Sequence, residues 1–173
     1  MRAVIVLATM LLSACVLHSK TPIFSGSEAV SVLGNLPLSF TVSTFDKGAW
    51  VAGDEPVLDA RPEGRHYIVP DAADPADLTK ADRYYFIPLD SGRYVVQAVT
   101  GGEADYAIAT WDGKTLLASA LDCDALKTSL ATNDLVMFLN DACSLRPSDQ
   151  PPLVQFGRLA QRAGPPSLRL VRQ

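Results

Sequence analysis

Few side chains in this sequence could do acid–base or nucleophilic chemistry. Histidine is the usual base near neutral pH, and the sequence has two, His18 and His66. His66 stands between Arg65 and Tyr67 in a segment of strand character, where a lone histidine is ordinarily structural. A Cys–His nucleophile would need His66 beside Cys123 or Cys143. No Gly-x-Ser-x-Gly, His-Glu-x-x-His or glycine-rich phosphate loop occurs. The carboxylates form two groups: Asp122 and Asp124 flank Cys123, and Asp71, Asp74 and Asp77 recur at every third position. Two facing carboxylates can hydrolyse a glycosidic bond, but no spacing here selects a pair. The pattern of a calcium-binding hand is also missing, so these read as solvated loop acids. The remaining candidates are aromatic. Trp50, Tyr67, Tyr94 and Trp111, with His66, could form a binding face if they share one side of a sheet; otherwise they are core. No catalytic residue, metal-ligand set or cofactor motif is assigned.

The elements that would position these residues are mostly strands. Four segments share a local pattern of an acidic residue, a glycine and then an apolar-rich run: residues 45–52, 61–69, 89–97 and 111–117. Glycine permits the positive φ of a tight turn, and aspartate favours its start. Alternation within Arg93-Tyr-Val-Val-Gln-Ala-Val99 puts Tyr94, Val96 and Ala98 on one face. Consecutive antiparallel hairpins follow, turning near Pro62–Gly64, Asp90–Gly92, Thr100–Glu103 and Asp112-Gly113. Residues 29–45 supply a first strand or two, and residues 71–82 a polar loop with at most one helical turn. Thr132-Asn133 is placed to cap a helix running to about Ala142. Leu153, Phe156 and Leu159 have helical spacing, and residues 167–171 form a closing strand. The fold class is α+β: a predominantly antiparallel meander or small barrel with one or two short C-terminal helices.

The 173 residues suit one domain with a real core. A net charge of −4 makes the chain a poor general nucleic-acid binder, so none is expected as a partner. The charge is uneven: residues 46–124 carry 15 acids and 7 bases, whereas residues 144–173 carry five arginines and one aspartate. Arg146, Arg158, Arg162, Arg169 and Arg172 could meet an anionic surface, but they read first as solvated faces that offset the acidic body.

The chain opens with Arg2, an apolar run over residues 3–12, and then Leu12-Ser13-Ala14-Cys15. A run of ten residues makes about 15 Å of helix, too short for a hydrocarbon core of about 30 Å. An ordinary secretory signal wants a small residue three positions before its cut, where Leu12 stands. The stretch resembles the signal peptide and lipobox of bacterial lipoproteins, in which a dedicated peptidase cuts before a lipid-modified cysteine. The resemblance covers residues 1–15 only. It implies a cleaved segment 1–14, a Cys15 carrying acyl chains such as palmitate, and a membrane as partner through that lipid. With Val16 rather than Asp after the cysteine, it also implies the outer membrane facing the periplasm of a Gram-negative host. Residues 15–27 then read as lipidated cysteine and tether, and residues 28–173 as one β-rich periplasmic domain. His18 would sit three residues from the lipid, a poor place for a catalyst. In that oxidising compartment Cys123 and Cys143 are expected to pair.

The expected role is a membrane-anchored envelope module that binds or scaffolds an envelope protein or component. Two alternatives stand beside it: a periplasmic hydrolase using carboxylates or His66, and a small-ligand carrier, if the hairpins close around an apolar cavity.

Overall fold

The computed structural model describes residues 16–90, 92–128, 134–139, 142–146 and 148–173. Cys15 and the Thr132-Asn133 cap lie outside them. Seven strands follow one another as antiparallel neighbours: β2 (Leu38–Asp46), β3 (Ala49–Glu63), β4 (His66–Val69), β5 (Asp82–Asp90), β6 (Arg93–Thr100), β7 (Glu103–Trp111) and β8 (Thr115–Ala120). The strand β11 (Leu168–Arg172) inserts between β8 and β2, pairing Leu170 with Leu116 on one side and Val42 on the other. The meander thereby closes into an eight-strand barrel. The expected turns are all present, with Gly64 and Gly113 at φ of 61° and 96°, a conformation open to glycine at little cost.

Period-2 alternation divides the buried apolar side chains into two cores. Phe40, Leu58, Tyr67, Tyr84, Phe86, Leu116 and Leu170 point into the barrel. Ile87, Val95, Tyr106 and Ile108, one residue out of phase, point outward from β5–β7. That outer face is covered by helix α2 (Pro152–Ala160), whose Phe156 lies 5.1 Å from the Tyr106 ring and 5.3 Å from that of Phe24. A shorter helix, α1 (Cys123–Lys127), begins at Asp122, whose carboxylate accepts from the Asp124 amide at 2.8 Å.

Three expectations are corrected. Residues 16–27 are not a tether. Val16 and Leu17 are buried, β1 (His18–Ser19) pairs with β7, and Phe24 sits in the outer core. The Gln97 amide holds this segment down: its Oε1 accepts from the Ile23 and Phe24 amides at 3.0 and 2.9 Å, and its Nε2 donates to the Phe24 carbonyl at 3.1 Å. Residues 29–37 contain no strand; they cross the base of the barrel. The segment expected to be helical through Leu135 and Phe138 is instead a hairpin, β9 (Val136–Leu139) with β10 (Ala142–Leu145). Val136 is buried and Met137 exposed, as a half-buried strand requires. A short apolar run does not distinguish helix from strand by itself.

Cys123 and Cys143 form a disulfide that ties this hairpin to α1. With both cysteines changed to serine, urea unfolding is expected to show a loss of roughly 3 kcal/mol, the loop-closure value for a 20-residue separation. Equal midpoints for the two proteins would show that the bridge adds nothing to stability.

Candidate functional site

The barrel is not filled by its side chains. It encloses a cavity of about 580 Å³, within the range of about 300–1,000 Å³ typical of small-molecule sites. The cause is side-chain size at inward positions. Ala98 on β6, Ala107 on β7, and Ala118 and Ala120 on β8 all line the cavity, as does Ala60 on β3. Phe86, Val96, Tyr67, Leu58 and Leu168 make the rest of the wall apolar. Eight strands leave an interior that larger side chains can fill or smaller ones can leave open.

One end is closed. Tyr67 Oη accepts from the Leu33 amide at 2.9 Å and donates to the Gly34 carbonyl at 3.0 Å, pinning the base-crossing segment so that Leu33 caps the cavity. Phe40 and Trp111 meet edge to face at 6.3 Å, and Tyr67, Phe86 and Tyr94 continue the aromatic floor. The other end opens at the β2–β3 hairpin, where the lining residues Phe45 and Val51 are 45% and 43% exposed.

The polar groups gather at the open end. Asp46 and Asp105 line the cavity, and no lysine or arginine does so among the described residues. β1 extends the wall beside β7 beyond the end of β8, placing His18 opposite Asp105 with His18 Nδ1 2.9 Å from Asp105 Oδ1. Asp82, on the inward phase of β5, is buried. It accepts from the Thr100 hydroxyl and, at 3.4 Å, from the Tyr84 hydroxyl. Burial pushes the Asp82 carboxyl above the ordinary carboxylate value despite the lowering effect of those two bonds. Burial likewise pushes the Tyr84 phenol well above its ordinary value, with the Asp82 charge adding to it.

The candidate aromatic face is divided by the wall. Tyr67, Tyr94 and Trp111 belong to the interior core. Trp50 is outside, 5.3 Å from the Phe45 ring, with the Arg169 guanidinium 4.8 Å from its centroid. His66 is also absent from the cavity lining; it stacks on Tyr85 at 4.8 Å, with Nε2 2.9 Å from Glu63. The loop acids have local work: Asp71 and Asp77 accept from backbone amides two residues on, and Lys80 pairs with Asp74 and Asp77. Asp122 is a helix cap rather than half of an acid pair. Sequence analysis placed Ala98 on a common face with Tyr94 and Val96, but the lining alanines Ala52, Ala60, Ala107, Ala118 and Ala120 and the Asp105–His18 pair carried no assignment. The same alternation, carried across the β6–β7 pairing of Val96 with Ala107, would have found the alanine on the neighbouring strand.

A protonated Asp82 favours the folded state, because its folded value lies above its unfolded one. Its contribution is therefore full below the ordinary carboxylate value and is lost as pH rises through the folded value. Asp82→Asn keeps an acceptor for Thr100 and removes the buried charge. The variant should gain more in Tm over the parent at pH 7 than at pH 4; an identical difference at both pH values would contradict this account.

No family model, curated protein or solved structure matches the chain.

Proposed function

We propose that this chain is a lipid-anchored envelope protein whose barrel binds a small, mostly apolar molecule. The observation that carries the reading is the apolar cavity of about 580 Å³, closed at one end and open at the other. A scaffold that met its partners only through its surface would have no use for that volume, and a filled interior would be the more stable arrangement. The carboxylates at the open end disfavour a ligand with an anionic head. They suit one whose polar end donates hydrogen bonds or carries positive charge toward Asp105. His66 lies away from this space, so it gives hydrolysis no support. The resemblance of residues 12–15 to a lipobox supports anchoring, and the Cys123–Cys143 bridge suits an oxidising compartment.

Binding is tested with N-phenyl-1-naphthylamine, a small apolar fluorophore whose emission rises on leaving water. The expected result is saturable binding that Ala107→Phe weakens by about tenfold or more, because the new ring occupies the space the ligand needs. The urea midpoint should change little, since the ring enters existing volume. Val154→Ala, on the exposed face of α2, is the control. Failure of the parent protein to bind saturably, or equal binding by Ala107→Phe, would refute a ligand site in the barrel.

A further inference from the structure

We infer that the ligand of the barrel is an amphiphilic amine, bound with its apolar body toward the closed base and its ammonium group on Asp105 at the open end. This rests on the ligand-binding reading above and names the chemical class of what is bound.

The first observation is the state of the Asp105 carboxylate. It lines the cavity, and its side chain is 33% exposed. His18 Nδ1 meets Oδ1 at 2.9 Å, whereas Oδ2 has no hydrogen-bond partner among the described residues. The other nitrogen of His18 turns to Glu103, with Nε2 3.8 Å from Oε2. Even a protonated imidazole brings one positive charge to those two carboxylates. Asp46, the second acid of the lining, forms no ion pair among the described residues, and neither does Asp82.

The second observation is what surrounds Asp105. The β6–β7 register sets it opposite Ala98, which in turn lies opposite Tyr84 on β5. Ala107, the next inward residue on β7, lies opposite Ala120 of β8. Methyl groups beside the carboxylate leave room for a head group at hydrogen-bond distance from Oδ2. Asp82 is already held by the Thr100 and Tyr84 hydroxyls, so it contributes charge to this end rather than a free acceptor. Behind burial, the Asp105 charge helps to push both the Asp82 carboxyl and the Tyr84 phenol upward, as expected of a negative field that no cation offsets. A neutral donor would satisfy Oδ2 and leave that field in place. An ammonium group answers both, through a charge-assisted hydrogen bond and its positive charge.

The orientation follows from the other end. Leu33, Phe40, Phe86 and Leu116 line the cavity there, and the Tyr67 hydroxyl is spent on the Leu33 amide and the Gly34 carbonyl. An ammonium group at the base would be buried without a partner, whereas an alkyl or aryl body would replace empty space with contact.

The test displaces N-phenyl-1-naphthylamine from the parent protein with three ligands of one chain length. At about pH 7, decylamine is cationic, decanol neutral and decanoate anionic. Decylamine is expected to displace the probe at a concentration about tenfold or more below that of decanol, with decanoate the weakest. Asp105→Asn should bring decylamine level with decanol, each measured against the variant's own affinity for the probe. Asp74→Asn makes the same change of charge on the exposed loop outside the lining and should leave the preference intact. Decanol or decanoate acting at or below the concentration of decylamine would overturn the inference. So would a preference that survives Asp105→Asn, or one that Asp74→Asn abolishes equally. The comparison of head groups on the parent protein is decisive even if a variant does not fold. A parent protein that does not bind the probe saturably fails the ligand site itself. One that binds the probe and ranks the three ligands alike keeps the site and loses only the amine.

Discussion

The cavity depends on the double pairing of β11. Five residues, Leu168–Arg172, bond to β2 on one side and β8 on the other. Without them, β2 and β8 would be sheet edges exposing unpaired amides and carbonyls, and the inward side chains would face an open trough. Closure turns a twisted meander into a vessel and fixes which side chains meet across it. Every inward residue discussed above, from Phe40 to Asp105, owes its neighbours to that closure.

Once the ring is closed, its contents follow from side-chain volume and phase. Even-numbered residues from Leu38 to Val42, from Asp82 to Phe86 and from Tyr94 to Ala98 face inward, which turns Ile87 and Val95 outward; on β7 the parity is reversed, with Asp105, Ala107 and Ala109 inside and Tyr106 and Ile108 outside. The outer face of β5–β7 is packed conventionally, with Phe156 and Leu159 of α2 filling it. Inside, alanines stand where leucines would pack, and a void remains. The protein thus has one full core that can carry stability and one open core that is free to serve a ligand. The buried Gln97 belongs to the first, since its amide fixes the N-terminal segment over the outer face.

Much of this was legible in the sequence, and the illegible parts have physical reasons. Hairpins at Gly64, Gly92 and Gly113 were visible because turn chemistry is local. The α2 helix was visible from the spacing of Leu153, Phe156 and Leu159. The β9–β10 hairpin was not, because what holds it is remote: the Cys123 bridge and the Leu17 pairing come from elsewhere in the chain. The docked segment 16–24 was misread for the same reason, since its anchor is a glutamine more than seventy residues away. The sequence left Trp50, Tyr67, Tyr94 and Trp111 together as either one binding face or core. It could not show that Trp50 lies across the wall from Tyr67, Tyr94 and Trp111, because only closure defines an inside.

The closing strand also sets an order of events. β11 follows in the chain every strand that it joins. A polypeptide emerging from a ribosome or a translocation pore therefore presents β2 to β8 as an open sheet until residues 168–172 have come free, and only then can its ring shut. Until then the molecule is threadable but adhesive, and the length of that interval is set by the arrival of residues 168–172.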